Sequence, residues 1–288
     1  MVKKIFGQCY IWLILILMYL PILVLIAFSF TKSVNVGVWK GFSFDLYSDL
    51  FRSKEILTAL ANTLIIAITS ALVATILGTL GAIGAFYSSK KFRRAYEFVN
   101  QIPVVNAEIV MALSLAIMFA ALPSLIFHTD LRSYWTLLIG HVVLGAPFVY
   151  INVKPKLQQM DPSLYEAAID LGAKPRQALW KVTLPEILPG VFSGFLLAIT
   201  LSLDDFVISQ FTTGPGLLSA GDPKIVTLSI LIQDKIKKGP IPPAMRALTT
   251  VIFLLVVLGV VGITVFRHYK SKKAALASKA NRKRRRAY

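Results

Sequence analysis

The chain has 288 residues, 56% of them hydrophobic and only 16% charged, with a formal net charge of +17. That balance excludes an ordinary soluble domain, because the apolar residues stand in long uninterrupted blocks instead of recurring at helical or strand period. So basic a chain would suggest nucleic acid if it were soluble, but the lysines and arginines flank the apolar blocks; the single cysteine, Cys9, excludes a disulfide framework and a cysteine-based metal site.

A hydrocarbon core of about 30 Å needs about 20 helical residues. Blocks of that kind are predicted at 8–30, 57–87, 98–121, 134–153, 188–211 and 246–267. In the first, Lys3 and Lys4 precede an apolar run as they would in a secretory signal. The run from Tyr10 to Phe28 is longer than a signal core and no small-x-small cleavage site follows, so it is expected to remain as a span. The second block is long enough to tilt or protrude. It carries Gly78, Gly81 and Gly84 beside Ala74, Ala82 and Ala85, a small-residue stripe expected to serve tight helix packing. The third places Glu108 about ten residues in, near mid-membrane if the helix is continuous. The fourth opens with Tyr134 and Trp135, which suit an interfacial anchor. Asp204 and Asp205 interrupt the fifth.

If the spans alternate, Lys3, Lys4, Lys90, Lys91, Arg93, Arg94, Lys154, Lys156, Lys174, Arg176, Lys181 and the tail beyond Arg267 fall on one side, expected to be the cytoplasm. The connections 31–56, 122–133 and 212–245 mix lysines with acidic residues. The expected fold class is an all-α integral membrane protein of six helices with both termini cytoplasmic. Residues 1–270 form the transmembrane domain and 271–288 a basic tail, read as solvated and resting on anionic headgroups, with nucleic-acid binding as the sharper alternative.

The connection between the fourth and fifth spans is unusually well punctuated. Asp161 suits an N-cap with Pro162 at the first helical position; alternatively Ser163 and Glu166 form a capping box. Gly172 is expected to end the helix. Leu157, Leu164, Ala168 and Leu171 are expected on one apolar face, and Glu166 and Asp170, four apart, on another. A second turn can start at Pro175, and Pro185 and Pro189 set the angle at which the chain re-enters the membrane. Ala167, Ala168, Gly172 and Ala173 permit close backbone approach, so such a helix could dock in a groove of another protein or cover the bundle at the interface.

The stretch resembles the EAA loop of permease subunits of bacterial ABC importers: Glu166, Ala167, Ala168, Gly172, Leu184 and Pro185 match that pattern at its spacing, and Pro189 follows. A narrower resemblance is to the spermidine/putrescine branch, its PotC-type permeases, through Asp170-Leu171-Gly172-Ala173, the run Leu201 to Ser209 with its Asp204-Asp205-Phe206, and Gly214-Pro215-Gly216. The resemblance implies a type I importer fold in the bacterial inner membrane. It also implies a coupling segment over about 154–189, in which Glu166, Ala167, Ala168, Asp170, Gly172 and Ala173 contact an ABC ATPase dimer. The implied partners are a second, PotB-type permease subunit and an extracytoplasmic substrate-binding protein; ATP and magnesium belong to the ATPase, and this chain carries no cofactor. Related permeases for iron or thiamine share parts of the pattern.

Glu108, Asp204 and Asp205 are the carboxylates within predicted spans. Each costs on the order of 2.5–3.5 kcal/mol at a helix centre, so they are expected to face the bundle interior or an aqueous cavity. There a cationic solute would offset the desolvation, and the resemblance makes that solute a polyamine, with Phe206 adding cation–π contact. Adjacent helical residues point about 100° apart, so one aspartate is expected to serve the solute and the other packing. No GxxxxGK[ST] segment is present, so the chain supplies no standard P-loop for ATP and the energy must come from elsewhere. An intramembrane aspartyl enzyme is disfavoured by the geometry of adjacent residues, and an ion-coupled carrier would leave the Glu-Ala-Ala loop unexplained.

Overall fold

In the computed structural model the described residues, 2–33, 35, 37–127, 134–213, 225–239, 242–258 and 261–262, are almost entirely helical. The helices are α1 (Val2–Ser29), α2 (Asp45–Arg52), α3 (Lys54–Tyr87), α4 (Lys90–Val105), α5 (Glu108–Phe127), α6 (Tyr134–Gln159), α7 (Pro162–Asp170), α8 (Pro175–Ala178), α9 (Leu184–Asp204), α10 (Val207–Thr212), α11 (Leu228–Lys238) and α12 (Ala244–Leu258). Four stretches are long and apolar enough to cross a membrane: Gly7–Ser29, Lys54–Tyr87, Tyr134–Gln159 and Pro175–Asp204. All six blocks marked by hydropathy contain helix, but several differ from the expectation. The sixth is represented by the shorter α12, while the basic tail 271–288 and Gly214-Pro215-Gly216 lie outside the described residues.

The third block is not one helix. α4 starts at Lys90, well before position 98, and α5 leaves it at 104°. Pro103 lies four residues beyond Val99, whose carbonyl it cannot satisfy, and Asn106 then adopts extended backbone (φ −73°, ψ 147°). Glu108 therefore opens a new helix instead of sitting ten residues along a continuous one. The fifth span is displaced as well: it begins at Pro175 and ends at Asp204. Pro185 does not stop it, because the preceding turn Leu179–Thr183 widens to a π-helix and makes room for the proline ring.

The chain forms two compact units, Met1–Lys54 with Pro240–Tyr288, and Glu55–Gly239. In the first, Thr31 and Phe42 pair as an isolated bridge, and Phe30, Phe42, Phe44 and Tyr47 form an aromatic cluster. Arg246 of α12 is buried and donates to the carbonyls of Phe28 (3.2 Å) and Ser33 (2.7 Å), which ties α12 to the end of α1.

The second unit is built on the pairing of α6 with α9. Gly190, Gly194, Ala198 and Ser202 recur every fourth residue and are all buried, forming one small-residue ridge. A methyl group at Gly194 would lie 3.0 Å from Val149 Cα, and one at Gly190 would lie 2.9 Å from the Asn152 carbonyl. Of the stripe anticipated on α3, Gly78 is closed in by Ala146 and Val149 and Gly81 by the Tyr96 hydroxyl, whereas a methyl group added at Gly84 would meet no neighbouring element within 4 Å. Arg93 closes the α3–α4 corner by donating to the carbonyls of Ala85 and Phe86, two of the acceptors that a helix end leaves unpaired.

Candidate functional site

Asp205 breaks the fifth span. Its backbone is extended (φ −62°, ψ 125°), and its carboxylate accepts from the N–H groups of Ile208 (3.1 Å) and Ser209 (2.7 Å) and from the Ser209 hydroxyl (2.8 Å). An aspartate that caps the next helix in this way competes with continuation of its own. The Asp205 carbonyl in turn accepts from Ser229 Oγ at 2.7 Å, at the start of α11. Asp205 is 4% exposed, whereas Asp204, the last residue of α9, is exposed. The two carboxylates diverge because the helix ends between them, and a straight-helix offset of 100° does not describe them.

Two broken spans meet at one cavity of about 410 Å³, lined among others by Pro103, Asn106, Glu108, Phe148, Asp204, Asp205 and Phe206. The α4–α5 bend brings Glu108 to it, and the α9–α10 break brings Asp204 and Phe206. The four residues expected from sequence, Glu108, Asp204, Asp205 and Phe206, thus share one wall. Asn106, Leu144 and Phe148 join them there without being foreseen from hydropathy or charge. Pro103 upstream is a signal for Asn106; Phe148 and Leu144 carry none apart from their helix.

His141, one of three histidines scattered through the sequence, lies buried at 2% exposure behind this wall. Its Nδ1 is 2.8 Å from Ser202 Oγ and its Nε2 3.0 Å from Ser209 Oγ. The scatter of the three hides it, although an ionisable side chain inside an apolar span is itself a signal. Among the described residues no group of three or more His, Cys, Asp or Glu is placed to hold a metal ion.

The segment that carries Glu-Ala-Ala is an exposed helix with defined ends. Asp161 caps α7 by accepting from Ser163 N–H at 3.0 Å, which resolves the two capping alternatives in its favour. That backbone bond, with help from the Ser163 hydroxyl, holds the Asp161 carboxyl below its usual range. Gly172 has φ +86°, donates to the Ile169 carbonyl (2.8 Å), and is followed by Ala173 donating to Ala168 (3.0 Å), the two bonds of a Schellman stop. Glu166, Ala167, Asp170 and Gly172 are exposed, and Ala168 and Ala173 half-buried. The expected common apolar face does not form: Leu157 is buried in α6, while Leu171 is 89% exposed, since the chain has left the helix there. A tilted ring contact of Tyr165 with Tyr87 (centroids 5.2 Å apart, planes at 43°) fixes α7 against the end of α3.

Apolar spans, two of them broken at a carboxylate-lined cavity, define a multi-pass membrane protein of the transporter kind. The fold is shared with solved importers: a bacterial ABC transporter involved in the import of the acidic polysaccharide alginate aligns with a TM-score of 0.68 at 15% identity, over 93% of this chain and 96% of that one. A second structure, the alginate transporter in complex with an alginate pentasaccharide-bound periplasmic protein, aligns at 0.65 and 20% identity, over 89% of this chain and 91% of that one. Residues 78–274 match the family of binding-protein-dependent transport system inner membrane components, and the chain belongs to that family of ABC importer permeases. It is 36% identical over 266 residues to the putrescine transport system permease protein PotI of Escherichia coli, covering 88% of each chain. It is 33% identical over 259 residues to the spermidine/putrescine permease PotC of the same organism, covering 88% of this chain and 91% of that one.

Proposed function

We propose that this permease moves a polyamine cation, putrescine or spermidine, inward across a bacterial inner membrane, with ATP and magnesium used by a separate ATPase dimer. The observation that carries the reading is the cavity in which Glu108 and Asp204 stand beside Phe148 and Phe206. Carboxylates in a membrane are costly unless a cation or polar partner compensates them. A linear molecule bearing ammonium groups supplies that compensation, and the aromatic faces favour its cations further. The names of the relatives, permeases for putrescine and for spermidine with putrescine, support the same solute class.

In this reading the basic connections and both termini lie in the cytoplasm, α7 seats on the ATPase through Glu166, Ala167, Ala168, Asp170, Gly172 and Ala173, and a second permease of PotB type completes the pathway. An extracytoplasmic binding protein delivers the solute; the alginate transporter solved together with a pentasaccharide-bound periplasmic protein supports that arrangement.

The test is uptake of labelled putrescine and spermidine by vesicles containing the assembled transporter. Glu108→Gln and Asp204→Asn nearly preserve shape while removing charge, so each should raise KM with complex yield unchanged. Wild-type uptake in the double variant would end the polyamine reading and move the solute to another class.

A further inference from the structure

Behind the cavity wall a line of polar side chains crosses the bundle where helices of its type are otherwise apolar. Ser70 of α3, His141 of α6, Ser202 of α9, and Asp205 and Ser209 at the break are each between 1% and 4% exposed. Ser70 Oγ donates to Ser202 Oγ at 3.2 Å, Ser202 Oγ is 2.8 Å from His141 Nδ1, His141 Nε2 is 3.0 Å from Ser209 Oγ, and Ser209 Oγ donates to Asp205 Oδ2 at 2.8 Å.

The direction of every bond follows from its far end. The Asp205 carboxylate and main-chain carbonyl can only accept, so the one hydroxyl proton of Ser209 is directed to Asp205, to Oδ2 at 2.8 Å or the carbonyl at 3.2 Å, and not to His141. Ser209 Oγ must therefore accept from His141, which puts the proton on Nε2. A neutral ring protonated at Nε2 has a lone pair at Nδ1, so Ser202 donates to it, and Ser202 is left free to accept from Ser70.

We propose that Ser70, Ser202, His141 and Ser209 form a one-way hydrogen-bond chain ending on Asp205, and that His141 in its Nε2–H form is the positioning residue that holds the Asp204–Phe206 break on the cavity wall. The chain joins α3, α6, α9 and α10 at the point where the backbone leaves its helix. Only the claim about solute affinity rests on the reading of the cavity as the solute site. The Asp205 carboxylate also caps α10 through Ile208 and Ser209, so a change at His141 reaches Asp204 through two buried side chains, those of Ser209 and Asp205. The imidazole supplies a donor at one edge and an acceptor at the other, which no apolar residue of its size reproduces.

Three measurements test this. In the assembled transporter with ¹⁵N-labelled histidine, the signal lost in His141→Gln should show a pyrrole-like Nε2 and a pyridine-like Nδ1; the opposite tautomer or an imidazolium overturns the direction of the chain. In putrescine uptake, His141→Leu should raise KM about tenfold, the order expected when a buried hydrogen bond behind a binding group is lost, with kcat little changed. His141→Gln, which keeps a donor toward Ser209, should recover most of that loss. Equal KM in the Leu and Gln variants would mean that the ring only fills space, and would overturn the positioning role. A reporter separates this from the solute reading: in a Cys9→Ser background, Asp204→Cys should react with a cationic thiol reagent at a rate altered by His141→Leu. An unaltered rate overturns the positioning role whatever the solute, whereas an altered rate with polyamine uptake indifferent to Glu108 and Asp204 supports it and rejects the solute reading alone.

Discussion

Asp204 and Asp205 are neighbours with opposite circumstances, and their substitutions should separate. Asp205 is buried and accepts three donors, so Asp205→Ala would leave the Ile208 and Ser209 N–H groups unpaired. The expected cost is about 3 kcal/mol or more. It should appear as reduced yield of assembled transporter by size-exclusion chromatography, before any effect on affinity can be read. Asp204 is exposed to the cavity, so Asp204→Asn should leave yield intact and act on KM. Equal yields of the Asp205→Ala variant and the wild type would refute the capping role.

At the level of elements, the stop of α7 and the α6–α9 seam carry different consequences. Gly172 has φ +86°, a conformation that costs a branched residue about 1–2 kcal/mol, and nothing lies within 4 Å of the place where its Cβ would be. Gly172→Val should therefore alter the end of α7 without crowding the bundle. Membrane insertion and solute binding should persist while ATP-driven uptake falls; undiminished ATP-driven uptake would count against α7 as the coupling element. At the seam the constraint is space: Gly194→Leu places a side chain against Val149, where a Cβ alone is already 3.0 Å from the backbone. Overpacking on that scale costs about 1–3 kcal/mol, so thermal unfolding of the complex should shift downward. A melting curve identical to that of the wild type would show that the ridge is not close-packed.

For the whole molecule, the proposed reading makes uptake conditional on a separate ATPase, and the sequence contains no phosphate-binding loop of its own. Vesicles containing this permease with its partner permease, ATPase and binding protein should accumulate putrescine only when ATP and magnesium are supplied to the ATPase side. Accumulation driven by an ion gradient without nucleotide would instead favour an ion-coupled carrier.

Hydropathy locates the spans because burial in lipid demands a length of apolar helix that is written locally, residue by residue. Caps are local as well, so Asp161, Pro162 and Gly172 announce α7 and its end, and the Glu-Ala-Ala spacing announces the family. Pro103 and Asp205 sit inside apolar blocks, where a hydropathy window averages over the breaks they cause. The α9 ridge of Gly190, Gly194, Ala198 and Ser202 is legible as a four-residue period, but its partner on α6 is not. What only the tertiary structure decided is the company each polar group keeps. It brought Glu108 and Asp204 to one cavity from spans that break at different places, and turned Asp205 inward to cap α10. It also set His141 between two serines, because hydrogen-bond partners 61 and 68 residues away are a matter of helix packing and not of sequence spacing.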